Sequence, residues 1–159
     1  MTRLVGIGVA LVILGLSGTN AQAAPKKQEI KWPASIEWVS FTDGQSNAAL
    51  TGKPMLVLVY AHWCTQCVRL SKSMLNKDFE ELSKNFIMVL VDQDKAQEML
   101  DHYFPKMTYV PRIFFMKPDG EFWTELKSKN ARYPYFYPST DMTELMSNMN
   151  VSLKTHRGK

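Results

Sequence analysis

The stretch Met55–Cys67, with the sequence MLVLVYAHWCTQC, decides the fold class of this chain. Its first six residues are apolar without alternation, which is typical of a strand that is buried on both faces of a sheet. Two cysteines follow that strand almost at once, and apolar residues at helical spacing begin with Val68 and Leu70. The stretch therefore predicts a strand, a short loop and a helix, with a C-x-x-C pair at the start of the helix.

The rest of the chain alternates short apolar segments with segments of helical spacing. The predicted elements, in chain order, are a strand at Ile36–Trp38, a helix from Thr42 or Asp43 to Gly52, the strand Met55–Tyr60, helices around Val68–Leu75 and Phe79–Phe86, a strand at Ile87–Val91, a helix at Gln97–Tyr103, a strand at Ile113–Met116, a hairpin strand at Glu121–Trp123 after the turn Pro118–Gly120, and a final helix from Ser139 or Thr140 to about Met149. This order predicts an α/β fold with a central mixed β-sheet and helices on both faces.

The amino terminus has the three parts of a secretory signal peptide. A positive residue precedes the apolar run Leu4–Leu16, and Ala21–Ala23 provides a small-x-small cleavage site, so residues 1–23 are predicted to be a signal peptide. The alternative is an uncleaved membrane anchor, although the run is shorter than the roughly 20 residues that a spanning helix needs. Residues 24–35 then form a polar leader that we expect to be flexible, and residues 36–159 form one domain.

Charge and cysteine content exclude several classes of function. The 159 residues include 19 Lys and Arg against 15 Asp and Glu, interspersed along the chain, so we expect no nucleic-acid partner. The chain has only two cysteines, Cys64 and Cys67, and a bridge between them closes too short a loop to stabilise the fold greatly. A pair at this spacing in a secreted chain needs a chemical explanation rather than a structural one.

Redox chemistry explains the pair better than metal or haem binding. A structural zinc ion would need two more soft ligands besides the cysteines; only three histidines are available and a second C-x-x-C pair is absent, so we expect no metal. Haem attachment needs a histidine directly after the second cysteine, where this chain has Val68. At a helix N-terminus the helix dipole should lower the pKa of Cys64 and make it the nucleophile, with Cys67 resolving the mixed disulfide. Cysteines that carry the electrons themselves need no cofactor.

Val110 and Pro111 directly precede the third long strand. A proline at the first residue of a strand is ordinary, because it loses no hydrogen bond of the sheet there. The functional alternative is a cis peptide that leaves backbone groups free to pair with an extended substrate. Only about 5–6% of X–Pro bonds are cis, so the residues alone leave both interpretations open.

The run from the buried strand through the WCTQC motif to Val110–Pro111 resembles the thioredoxin superfamily. Within it, the chain is similar to the small endoplasmic-reticulum thioredoxins, which include thioredoxin domain-containing protein 12 and the anterior gradient proteins. The segments that carry the resemblance are Ile36–Trp38, Lys53–Met55, Trp63–Cys67, Asn85–Val89, Tyr109–Ile113 and Tyr135–Tyr137. The resemblance covers nearly all of the chain after the predicted signal peptide and implies a thioredoxin fold.

The resemblance also implies roles for individual residues. Cys64 would be the attacking thiol and Cys67 the resolving thiol, while Pro111, preceded by Val110, would be the substrate-facing cis-proline. Trp63 would shield the nucleophile, or it would simply be a core tryptophan.

Two basic residues near the motif are candidates for tuning the thiolate. His62 lies two residues before the first cysteine, and as an imidazolium it would stabilise the thiolate. Arg112 follows the proline and could swing toward the cysteines. The alternative for both is an ordinary solvated side chain.

The chain departs from its relatives at three places. Thioredoxin carries a buried acid near the end of its central strand, where this chain has Leu58. The anterior gradient proteins lack the second cysteine, whereas this chain has both. Relatives that are retained in the endoplasmic reticulum end in a KDEL-like tetrapeptide, and the ending here, Thr155–Lys159, differs. Secretion is therefore as plausible a destination as the lumen.

The sequence thus predicts a thiol–disulfide oxidoreductase of the secretory pathway, in the endoplasmic-reticulum lumen or secreted, or in the periplasm of a bacterium. Its expected partners are protein thiols and disulfides, with glutathione as a candidate small partner, and no stable membrane insertion follows signal cleavage. The alternative is a secreted binding or signalling module with a thioredoxin fold, whose redox activity is vestigial or regulatory.

Overall fold

Four strands form one sheet in the computed structural model of the chain, which describes residues 28–157. The strands are β1 (Trp38–Val39), β2 (Met55–Tyr60), β3 (Ile87–Asp92) and β4 (Arg112–Met116). Their spatial order is β1–β3–β2–β4, with β1, β3 and β2 parallel and β4 antiparallel to β2. The sheet is therefore mixed, as predicted, and β2 lies at its centre.

Helices cover both faces of this sheet. They are α1 (Phe41–Thr51), α2 (Thr65–Ser73), α3 (Lys77–Ser83), α4 (Gln97–Tyr103) and α5 (Thr143–Arg157), with a short 3-10 helix at Gln93–Lys95. Leu56 and Leu58 of β2 point into a buried cluster with side chains of α2, α3 and α5. Alternate residues of the same strand, such as Val57 and Val59, point into a second cluster with side chains of α1 and α4. The run of β2 is apolar without a break because both faces of this strand pack against helices.

The first helix begins earlier than predicted. Its N-cap is Ser40, whose side chain accepts a hydrogen bond from the backbone N–H of Asp43 at 3.2 Å, so neither Thr42 nor Asp43 caps the helix. The end of the helix is as predicted. Gly52 adopts φ 68°, a left-handed conformation that glycine accepts without strain, and its N–H donates to the carbonyl of Ala48.

The last third of the chain differs from the prediction at two places. The turn after β4 forms, but Glu121–Trp123 contributes one isolated bridge, between Phe122 and Met116, instead of a strand. The final helix begins at Thr143, because a turn in which Asp141 N–H donates to the carbonyl of Pro138 precedes it. That helix also continues to Arg157, well beyond the predicted end.

The described part of the leader packs against the domain instead of extending freely. Gln28 hydrogen-bonds with His62, Pro33 is buried, and Trp32 contacts Trp38 and Tyr60. The predicted signal peptide, residues 1–23, lies outside the described residues. Among residues 28–157, no helix has the length and apolar character needed to cross a membrane.

Candidate redox site

Cys64 and Cys67 form a disulfide at the start of α2, with their Cα atoms 5.3 Å apart. A turn brings the chain from β2 into this position, since Cys64 N–H donates to the carbonyl of Ala61 at 3.0 Å. Cys64 is the N-cap of α2, and its Sγ accepts a hydrogen bond from the backbone N–H of Cys67 at 3.0 Å. Once the pair is reduced, this N–H and the helix N-terminus favour a thiolate at Cys64.

The two sulfurs belong to a small buried cluster. Cys64 is 5% exposed, and Cys67 and Ala61 are fully buried. Four partly buried side chains pack against this cluster: Ile30, Trp32, Tyr60 and Val110. Cys64 is therefore the more exposed of the two cysteines.

The Val110–Pro111 peptide bond is cis, and Val110 packs against the cysteine cluster. The structure thus brings together two parts of the chain that the sequence analysis singled out separately. Pro111 is buried and leads directly into β4, whose first residue pairs with Val59 of β2. This pairing places the proline near the carboxyl end of β2, where the cysteine loop begins.

Trp63 lies at the surface beside Cys64, and its indole ring is fixed by an acid on a neighbouring element. The side chain is 39% exposed, and its Nε1 donates to both carboxylate oxygens of Asp94, at 3.1 and 3.3 Å. Asp94 lies in the 3-10 helix that follows β3. Asp94 was not among the predicted site residues. It follows β3, and because β3 is parallel to β2, the segments after both strands lie at the same edge of the sheet.

His62 connects two segments that are distant in sequence. Its Nδ1 lies 3.3 Å from the carbonyl oxygen of Gln28, and its Nε2 lies 3.5 Å from Oδ2 of Asp92. Its ring meets the ring of Tyr60 edge-on at 5.4 Å between centroids. Burial, and secondarily the negative charge of Asp92, raise the pKa of Tyr60. Both ring nitrogens of His62 therefore face oxygens, and its side chain is engaged rather than freely solvated.

Arg112 is buried at 2% exposure, so the solvated alternative is wrong for this residue. Its Nη1 donates to the carbonyl of Met107, in the loop that leads to the cis-proline. Burial lowers the pKa of Arg112, while Tyr109 and Asp101 oppose that shift. The side chain thus supports the loop before Pro111, and its hydrogen bond is not directed at the sulfurs.

Leu58 is fully buried in the sheet and packs with the apolar cluster of α2, α3 and α5. It pairs with Leu90 of β3 and Ile113 of β4. A leucine at the position where thioredoxin carries a buried acid thus has apolar neighbours on both adjacent strands.

Comparison with known proteins agrees with this geometry. A family model described as thioredoxin-like matches residues 37–118. Anterior gradient protein 3 of Mus musculus is 26% identical over 157 residues, which cover 93% of each chain. Anterior gradient protein 1 of Xenopus laevis is 30% identical over 121 residues, covering 74% of this chain and 64% of the relative.

Solved structures show the same fold. A thioredoxin from Thermus thermophilus superposes with a TM-score of 0.59 at 16% identity, over 75% of this chain and 88% of the other. A disulphide isomerase from Xylella fastidiosa superposes with a TM-score of 0.55 at 24% identity, over 69% and 87%. Together with the matched family model, the cysteine pair and the mixed sheet, these likenesses lead to one conclusion: the chain belongs to the thioredoxin-like family and, within the thioredoxin superfamily, resembles the anterior gradient proteins.

Proposed function

We propose that this protein is a thiol–disulfide oxidoreductase that acts on protein substrates through Cys64 and Cys67. The observation that carries the proposal is the position of Cys64, whose Sγ caps α2 and accepts the N–H of Cys67. A sulfur in that environment is stabilised as a thiolate, and the thiolate is the species that attacks disulfides.

The proposed exchange has two steps in each direction. The Cys64 thiolate attacks one sulfur of a substrate disulfide, forms a mixed disulfide and releases the other substrate sulfur as a thiolate. The Cys67 thiolate then attacks Cys64 Sγ, which closes the enzyme disulfide and releases the second substrate thiolate. The substrate gains two electrons and the enzyme loses two. The reverse sequence oxidises a substrate dithiol, and glutathione can enter the same steps as a small thiol.

Trp63, Val110 and Pro111 would form the surface on which a substrate docks. Trp63 is exposed beside Cys64, and Val110 packs against the cysteine cluster from another part of the chain. Both residues therefore lie close to Cys64, where the mixed disulfide with a substrate would form. Arg112 would act indirectly, through its hydrogen bond to the loop that carries these residues.

We place this activity in an oxidising compartment, which is the secretory pathway of a eukaryote or the periplasm of a bacterium. The predicted signal peptide, residues 1–23, and the resemblance to the anterior gradient proteins support this location. The chain could then act in the endoplasmic-reticulum lumen or after secretion.

A second candidate function is a binding module whose disulfide is structural or regulatory. Two observations favour it. Cys64 is only 5% exposed in the oxidised form, and Leu58 provides no carboxylate that could accept a proton from Cys67. The two candidates differ in whether the protein forms covalent intermediates with other proteins.

Trapping of mixed disulfides separates the two candidates. Cys67→Ser should accumulate covalent complexes with protein partners, because Cys64 attacks and no second thiol releases it. Cys64→Ser should trap almost none, since Cys67 is fully buried. Non-reducing gels of both variants, expressed in a compartment that oxidises thiols, measure the difference. Equal trapping by both variants would reverse the assigned roles, and absence of trapping by Cys67→Ser would favour the binding module.

A further inference from the structure

Residues 28–32, which we call the strap, lie across the redox site and are joined to it by three hydrogen bonds. The backbone N–H of Gln28 donates to the carbonyl of His62 at 2.6 Å, and the carbonyl of Gln28 lies 3.3 Å from His62 Nδ1. The side-chain amide of Gln28 donates to Oγ1 of Thr65, between the two cysteines, at 3.4 Å. The strap therefore contacts the residues on both sides of Cys64.

Ile30 and Trp32 of the strap cover the cysteine cluster directly. Both side chains pack against the cluster that contains the disulfide, as do Tyr60 and Val110. Cys64 keeps only 5% of its surface. A nucleophile must reach a disulfide sulfur directly, so this cover limits which thiols can reach Cys64.

The two ends of the strap are held differently. Trp32 packs against the rings of Trp38 and Tyr60, with centroid distances of 5.8 and 5.5 Å, and the adjoining Pro33 is buried. Within residues 28–157, the contacts of the Gln28 end are hydrogen bonds, and Gln28 itself is partly exposed. Such hydrogen bonds exchange readily with water, so the Gln28 end of the strap can move away from the redox site while Trp32 stays in place.

We propose that Ile30 determines substrate specificity by acting as the removable cover of Cys64, an inference that rests on the proposed oxidoreductase activity. A small thiol reaches Cys64 Sγ beside Ile30. A thiol on a polypeptide must displace the strap before its sulfur bonds to Cys64 Sγ. The Cys64–Cys67 bond then breaks, and its electron pair leaves on Cys67 as the thiolate. Ile30 thus allows Cys64 to react with thiols on flexible segments, which can take the place of the strap, and slows its reaction with thiols on rigid surfaces.

The test compares two thiols of different size on the oxidised full-length protein. One is dithiothreitol, and the other is a short unstructured peptide that carries two cysteines. Acid quenching followed by mass spectrometry gives the second-order rate constant for each thiol. Ile30→Ala should raise the rate constant for the peptide several-fold and the rate constant for dithiothreitol much less. Ile30→Val keeps most of the cover and should behave like the wild type.

Two further variants complete the design. Gln28→Pro removes the N–H that holds the strap to His62, and it should shift the two rate constants in the same direction as Ile30→Ala. Leu50→Ala is the control, because Leu50 is 84% exposed near the end of α1, away from the cysteine cluster. Unchanged rate constants in both strap variants, or an equal increase for both thiols, would overturn the role of Ile30. If the wild-type disulfide reacts with neither thiol, the proposed oxidoreductase activity itself fails.

Discussion

The two bonded cysteines, Cys64 and Cys67, have different surroundings. Cys64 caps a helix and receives a backbone N–H, whereas Cys67 lies one turn inside the helix and is fully buried. The helix start and the N–H favour a negative charge on Cys64, and burial opposes one on Cys67. This asymmetry supports the separate attacking and resolving roles proposed for the two cysteines.

Alkylation kinetics report the charge on Cys64. In the Cys67→Ser variant, the rate of alkylation by iodoacetamide should rise with pH about a midpoint below that of a free cysteine, which is about 8.5. The backbone N–H of residue 67 remains in this variant and continues to stabilise the thiolate. The matched control is the same variant unfolded in urea, where the midpoint should return to the free value. Identical midpoints in the folded and unfolded protein would contradict the prediction.

The sequence indicates only part of the site at this scale. Trp63, Cys64 and Cys67 are adjacent in sequence, so their proximity could be predicted. Gln28 could not be placed, because its partner His62 lies 34 residues away in sequence. Asp94 lies 31 residues from Trp63, and its position after a parallel strand indicates only the sheet edge and not the hydrogen bond to the indole. No local pattern encodes such contacts, which depend on how the strap and the loop after β3 reach the same sheet edge.

At the scale of elements, α1 approaches β3 closely at Gly44. A Cβ atom at this position would lie 2.5 Å from Cγ2 of Val89, which is fully buried in the sheet. Glycine normally weakens a helix by about 1 kcal/mol relative to alanine. Here its absent side chain is what allows the helix to pack on the strand.

Gly44→Ala should therefore destabilise the protein by about 1–2 kcal/mol, because overpacking typically costs about 1–3 kcal/mol and exceeds the gain in helix propensity. Urea unfolding measures the free-energy change. Ser46→Ala, at an exposed position of the same helix, is the control and should change stability by no more than about 0.5 kcal/mol. A stabilised Gly44→Ala variant would show that α1 can shift away from β3.

Element prediction succeeded where burial imposes a pattern and failed where it does not. The long strands β2 and β3 were predicted nearly to the residue, because both are continuous apolar runs, the first preceded by Pro54 and the second ended by Asp92. The segment Glu121–Trp123 was assigned as a strand from its turn and its aromatic residues. It forms one bridge only, because Trp123 instead turns into the cluster beneath α5.

At the scale of the whole molecule, one sheet separates two apolar clusters. The apolar residues of β2 and β4 alternate between the two clusters, so the same strands take part in the packing of both. Leu145 and Met149 of α5 are fully buried on one side, and Phe114 of β4 is buried on the other. The described domain should therefore unfold as a single cooperative unit.

Leu145→Ala tests this cooperativity. The variant should lose about 2–5 kcal/mol of stability, as expected for a leucine removed from a packed core. Circular dichroism and tryptophan fluorescence should follow one common transition in urea, with an unchanged slope. Val151→Ala, at a 45% exposed position of the same helix, should shift stability by no more than about 0.5 kcal/mol. Two separate transitions would show that the α5 side unfolds independently of the other side.

The isolated bridge lies along the outer side of β4, which is one edge of the sheet. Ile113 N–H donates to the carbonyl of Tyr135, and Trp123 N–H donates to the carbonyl of Phe115, so backbone groups along the outer side of β4 are already satisfied. The opposite margin, β1, is only two residues long. Sheets with covered or short margins offer little template for cross-β growth. Association of other chains with this sheet through either edge is therefore disfavoured.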